Sequence, residues 1–154
     1  MAAPAPERVA VVVSRYNEMV TGRLLDGARR GLRARGVPDE RVDVIWVPGA
    51  FELPVAAEAA AASGRYGAIV ALGCVIRGET FHFDYIAGEA ARGLGIVACA
   101  HRIAVGFGVL TTETLEQALA RAGGEAGNKG YEAAEAALQT ADVLAGLSGA
   151  APRD

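Results

Sequence analysis

Three observations predict a three-layer α/β/α fold, with helices on both faces of a four-stranded parallel sheet. Four short apolar runs lack the alternation of a half-exposed strand, so each reads as a strand buried on both faces. A helical pattern follows each run. The resulting order, βαβαβαβαα, is the one that parallel crossovers generate. The length of 154 residues suits one domain, taken as 1–154 with flexible ends at 1–7 and 148–154. No internal repeat, low-complexity linker or second domain interrupts the pattern.

Each element has a local reason. Arg8-Val-Ala-Val-Val-Val-Ser14 is the first strand. Glu18 to Arg35 places Val20, Leu24, Leu25, Ala28 and Leu32 at spacings that build one apolar helix face, and Gly36 and Pro38 end it. Val42–Val47 is the second strand. Pro48-Gly-Ala-Phe-Glu-Leu-Pro54 is a turn-rich loop, and the Ala-rich stretch Val55–Ala62 is helical. Ala68–Val75 is the third strand, and Arg77-Gly-Glu-Thr80 the polar loop after it. Phe83–Ala98 is a helix with Ile86, Ala90 and Leu94 on one side. Ile103–Leu110 is the fourth strand. Thr112 caps a helix whose acidic start, Glu113 and Glu116, suits the positive end of its dipole. Gly123-Gly124 stops that helix, and a last one spans Asn128–Leu147. The whole is flavodoxin-like, so ligands are expected beyond the carboxyl ends of the strands. That directs attention to 14–17, 49–54, 76–82 and 110–112.

Composition narrows the function. Apolar residues make up 52%, charged ones 21%, and the net charge is −3. A disordered chain would be more polar. No uncharged stretch approaches the ~20 apolar residues of a membrane span. Without Lys/Arg clusters, a mildly acidic chain is a poor partner for nucleic acid. Two histidines, His82 and His101, leave no multi-histidine metal site. Cys74 and Cys99 sit in apolar surroundings and read as small buried hydrophobes. The first residues lack a basic segment followed by an apolar core, so a cytoplasmic location is expected. The surplus of apolar over polar material in a small domain hints at self-association.

Two nucleotide motifs fail on context. Gly93-Leu-Gly95-Ile-Val-Ala98 matches the dinucleotide fingerprint in letters, but it lies late in a helix and before a strand. Gly124-Glu-Ala-Gly127-Asn-Lys129-Gly130 lacks the Gly-Lys-Ser/Thr ending of a phosphate loop and joins two helices. The richest segment is Arg77-Gly-Glu-Thr-Phe-His82-Phe-Asp-Tyr85. A freed backbone at Gly78, the Thr80 hydroxyl and the amides of a helix start suit an anion. His82 stands beside that cradle, and imidazole is the side chain suited to proton exchange near neutral pH. A lone histidine is more often structural. His101, next to Arg102, reads as a solvated residue at a helix end. Tyr16 is either a core lid or a stacking platform for a flat ligand. Glu52 either accepts from ligand hydroxyls or caps the following helix.

Taken in order, these segments resemble one family. They are Ser14-Arg-Tyr-Asn17, Val47-Pro-Gly-Ala-Phe-Glu-Leu-Pro54, Leu72-Gly-Cys-Val-Ile-Arg-Gly-Glu-Thr80, His82-Phe-Asp-Tyr85, Gly108-Val-Leu-Thr-Thr-Glu113, and Arg121-Ala-Gly123 before Gly127-Asn-Lys-Gly130. The chain from Arg8 to about Leu147 is similar to the 6,7-dimethyl-8-ribityllumazine synthases of riboflavin biosynthesis. The resemblance implies condensation of 5-amino-6-(D-ribitylamino)uracil with 3,4-dihydroxy-2-butanone 4-phosphate, a transferase reaction without metal or organic cofactor. It implies that Tyr16 stacks on the pyrimidine with Asn17 nearby. Ala50, Phe51 and Glu52 would line the ribityl chain, and the backbone of Cys74, Val75 and Ile76 would meet the uracil edge. Gly78, Glu79 and Thr80 would hold the phosphate, and His82 would move protons. From the neighbouring subunit, Phe107 would cover the ring and Arg121 would pair with phosphate, with Lys129 and Glu132 close by.

The resemblance further implies pentamers. The compact link at 123–130 resembles that of members that build icosahedral shells from twelve pentamers. Riboflavin synthase is a candidate partner. Three departures stand out. Tyr16 replaces the family's usual Phe, Glu79 brings a carboxylate to a phosphate site, and the segment before Arg8 is short and Pro-bearing where many relatives lend a strand. Two other readings share this fold: an archaeal-type riboflavin synthase, and a shell or flavin-binding protein without turnover. The segment 78–82 and the Lys129 turn weigh against the first. Joint retention of Glu52, His82 and Arg121 weighs against the second.

Overall fold

Residues 5–78 and 82–149 are described by a computed structural model. Four strands form one parallel sheet in the order β2-β1-β3-β4: β1 (Val9–Ser14), β2 (Val42–Val47), β3 (Ala68–Ile76) and β4 (Ala104–Thr112). The predicted architecture is the one observed. β1 is buried along its whole length, as its unbroken β-branched run requires. Its odd residues Val9, Val11 and Val13 pack with α1 (Glu18–Ala34), α4 (Leu115–Ala120) and α5 (Lys129–Leu147). Its even residues Ala10 and Val12 pack with α2 (Leu53–Ala62) and α3 (His82–His101). The period of two along the strands thus divides the core between two helical layers.

Several boundaries differ from the sequence reading. β4 runs on to Thr112, because Thr111 and Thr112 pair with Val75 and Ile76. Thr112 therefore caps no helix. Thr114 does so, its hydroxyl accepting from the Gln117 amide at 3.1 Å. α2 begins at Leu53, with Pro54 in its first turn, where a missing N–H costs nothing. The 123–124 stop belongs to the first strand of a small antiparallel hairpin, β5 (Ala122–Gly124) with β6 (Gly127–Asn128), which turns at Glu125 and Ala126. Gly123 at φ 107° and Gly127 at φ 83° adopt backbone conformations that favour glycine there. Cys74 is buried as expected, but Cys99 is exposed, off the α3 face made by Ala90, Leu94 and Val97. His101 does end α3, yet it is paired: its Nε2 lies 2.8 Å from both carboxylate oxygens of Glu58 on α2. No described helix is long and apolar enough to cross a membrane.

At the amino ends of the strands, Asp43 gathers Arg8, Arg65 and Tyr66. One carboxylate thereby ties the starts of β1, β2 and β3. Hydrogen bonds from Arg8 and Tyr66, with the nearby guanidinium charges, hold its carboxyl below the usual range. A lowered folded-state pKa means the stabilisation is complete above the unfolded value, ~3.9, and is lost as pH falls through the lower folded value. Asp43→Asn is expected to cost about 1 kcal/mol at pH 7, the charge-assisted bond being discounted for solvent screening. Thermal melts should show the gap between variant and parent closing as pH is taken from neutral to about 3. A gap that does not narrow refutes the electrostatic account.

Candidate active site

The site grows from the carboxyl ends of β1, β2 and β3, where the strand order turns back on itself between β1 and β3. After β1 the chain keeps to β2 for two more residues: the Arg15 amide donates to Val47 O at 2.8 Å and the Tyr16 amide to Pro48 O at 3.0 Å. Asn17 then turns into the left-handed region at φ 63°, which asparagine tolerates better than most residues. Its carbonyl accepts from the Val20 and Thr21 amides, starting α1. Its side-chain amide donates to Cys74 O at 2.9 Å and so locks the end of β1 to β3. Tyr16 is left 73% exposed at the rim.

After β2, Ala50–Glu52 makes a short 3₁₀ turn that runs straight into α2. The turn buries Ala50 and leaves Phe51 exposed. Glu52 makes no side-chain hydrogen bond to cap α2, so the capping alternative for this residue is not realised. Its carboxylate instead lies close to Gly49, where an added Cβ would meet Oε1 at 3.3 Å.

These segments enclose a cleft of about 620 Å³, lined by Tyr16, Pro48, Gly49, Ala50, Phe51 and Glu52 on the β1–β2 side. Cys74, Val75, Ile76 and Gly78 from β3 and its exit line it too, with His82, Phe83 and Ile86 from the first turns of α3. The volume suits a small molecule. The character is mixed: aromatic and aliphatic walls, one carboxylate and one imidazole. Burial pushes the Cys74 thiol up to about 11, which disfavours its thiolate at neutral pH. Condensation, proton transfer and the binding of a flat heterocycle are all within reach of such a set.

The family model for 6,7-dimethyl-8-ribityllumazine synthase matches residues 6–145. The chain belongs to that family.

For a lumazine synthase family member, the cleft gathers nine of the residues expected at the site: Tyr16, Ala50, Phe51, Glu52, Cys74, Val75, Ile76, Gly78 and His82. Asn17 is held beneath it by the bond to Cys74. Glu79 and Thr80 lie outside the described residues. Phe107, Arg121, Lys129 and Glu132 do not line the cleft of their own chain. Phe107 projects from β4 into a separate shallow hollow with Ala91, Leu94, Gly95, Ala98 and Val105. Arg121 follows α4 and donates to Gln117 O at 2.9 Å, which uses one of five guanidinium donors. Lys129 and Glu132 open α5.

Four lining residues were not singled out from the sequence: Pro48, Gly49, Phe83 and Ile86. The signal for Ile86 was present, since it shares the α3 face of Ala90 and Leu94. Phe83, three residues before Ile86, shares that face as well, and the Arg77 guanidinium carbon sits 4.8 Å from its ring centroid.

Proposed function

We propose that the chain condenses 5-amino-6-(D-ribitylamino)uracil with 3,4-dihydroxy-2-butanone 4-phosphate to give 6,7-dimethyl-8-ribityllumazine, inorganic phosphate and two waters. One observation carries this reading: segments from four separate stretches of a family member converge on one cleft, bringing Tyr16, Phe51, Glu52, Gly78 and His82 together. The amine of the uracil attacks the ketone, and the first water leaves as the imine forms. A proton is lost from the adjacent carbon, the C–O bond to phosphate breaks and phosphate departs. The enol takes up a proton to become a ketone. The ribitylamino nitrogen closes the second ring, and the second water leaves.

Tyr16 supplies a stacking face for the pyrimidine, and Glu52 accepts from ribityl hydroxyls. The backbone at Cys74–Ile76 reads the uracil edge. Gly78, Glu79 and Thr80 hold the phosphate, and His82 carries the protons. Holding two reactants in register is worth up to ~7–11 kcal/mol of the barrier. The two aromatic side chains at the rim, Tyr16 and Phe51, are more than half exposed in the single chain, which suits a site closed by a neighbour. A pentamer in the cytoplasm, itself a unit of an icosahedral shell, supplies that neighbour, with Phe107 over the ring and Arg121 on phosphate. Native mass measurement separates pentamer from shell.

Mixing the purified protein with both substrates should release phosphate and the fluorescent lumazine together. Appearance of neither product from assembled protein overturns the reading. Arg121→Ala should raise KM for the phosphorylated substrate about 10–100-fold, the worth of a charge-assisted contact, with a smaller change in kcat. An unchanged KM removes Arg121 from the phosphate site.

A further inference from the structure

Arg77 follows β3 directly and has no part in the proposed chemistry, yet its side chain joins the exit of β3, the residue after β4 and the first turn of α3. Its Nε donates to Glu113 Oε1 at 3.0 Å, just past the end of β4. Its guanidinium lies over the Phe83 ring, 4.8 Å from the centroid. A terminal nitrogen lies 3.8 Å from Asp84 Oδ1. Its own amide donates to Thr112 O at 2.8 Å, adding a rung to the ladder after the Ile76–Thr112 pair. Phe83 and Asp84 are the two residues after His82 in the first turn of α3. A side chain rooted in the sheet therefore grips the turn that carries the imidazole.

The residue type fits this task. A planar guanidinium can stack on a ring while its edge reaches carboxylates, which a lysine ammonium cannot do at once. Each contact is weak alone at a solvent-exposed rim. Their effect comes from acting on one turn from one anchored base.

We infer that Arg77 is a positioning residue for His82: by tying Phe83 and Asp84 to Glu113 beyond the end of β4, it sets where the imidazole stands over the cleft. The inference rests on the proposed condensation, in which His82 moves protons. Arg77 touches no substrate in this account. A displacement of ~1 Å in a reacting group can cost ~10²-fold in rate, so a loosened turn is enough.

The test is steady-state kinetics on the assembled full chain for the parent, Arg77→Gln, His82→Ala and the double variant. Arg77→Gln should lower kcat roughly 10–100-fold with both KM values nearly unchanged. Arg77→Lys should recover part of that loss. With His82→Ala already present, Arg77→Gln should change kcat by less than about twofold, because the group it positions is gone. Glu113→Gln, which leaves Arg77 in place, should give a smaller loss of the same non-additive kind, and it decides the matter if Arg77→Gln does not fold. Additive losses overturn the inference. So does a raised KM for the phosphorylated substrate at unchanged kcat, which makes Arg77 a substrate contact. Absence of turnover in the parent overturns the condensation itself, whereas the other two outcomes leave it standing.

Discussion

His82→Ala is expected to lower kcat by roughly 10²–10⁴-fold while KM for both substrates changes little. The proposed reaction moves protons at several points: off the attacking amine, off the carbon beside the imine, onto the departing oxygens and onto the enol. Among the described side chains that line the cleft, His82 is the one imidazole. The Cys74 thiol is held at about 11 by burial. Glu52 is placed beside Gly49, where the proposed reading gives it the ribityl hydroxyls. His82 is also exposed within the cleft rather than packed into the core, so its loss leaves no cavity that would unfold the chain. Residual turnover should remain, because positioning of the two substrates survives. His82→Gln keeps a hydrogen-bonding side chain but not the proton transfer, and should be nearly as slow as alanine. If His82→Gln retains full kcat, the residue only binds. If His82→Ala raises KM at unchanged kcat, the catalytic assignment fails.

How far the molecule was legible from its sequence depends on the range of the interactions that set each part. β1 and β3 were readable because residues buried on both faces leave an unbroken apolar run. The end of β4 was not. Threonines 111 and 112 look equally like strand and like helix cap, and pairing with Val75 and Ile76, some 36 residues away, decides for strand. The hairpin at 122–128 is too short to show periodicity, and its bends depend on two glycine conformations. At the site, topology alone pointed to the loops after β1, β2 and β3. It could not show that the Asn17 side chain is spent on Cys74 O, nor that Arg77 lies over Phe83, because both are contacts between distant segments or across a turn. The apolar surplus also acquires a second meaning. Much of the small-residue content lies inside, where α1, α5 and β4 approach one another at Gly27, Gly31, Gly106 and Gly130.

Gly130→Ala should destabilise the protein by about 3 kcal/mol or more, at or beyond the top of the usual overpacking range. Local propensity argues the other way. Gly130 sits in the first turn of α5 without a positive φ, and alanine in a helix is favoured over glycine by up to ~1 kcal/mol. Sterics win because an added Cβ would stand 2.0 Å from Leu24 O and 2.7 Å from Leu24 C, both backbone atoms of α1. No rotamer relieves that contact, so α1 and α5 must separate. Separation also strains the neighbouring Asn128, which caps α5 by accepting from the Gly130 and Tyr131 amides and donates to Arg23 O on α1 at 3.1 Å. Gly22→Ala is the matched control. It lies on α1, and an added Cβ there meets nothing within 4 Å, so the propensity term alone should act and raise stability by up to ~1 kcal/mol. In a protein of this size ~3 kcal/mol corresponds to a fall in Tm of roughly 6–12 °C, easily read in a thermal melt. The two substitutions should therefore move Tm in opposite directions. If Gly130→Ala raises Tm as Gly22→Ala does, the close approach of α1 and α5 is not what glycine is there to allow. Because Lys129 and Glu132 flank this contact at the start of α5, the same displacement should weaken turnover beyond what lost stability explains in any assembly where those residues face a neighbour's cleft.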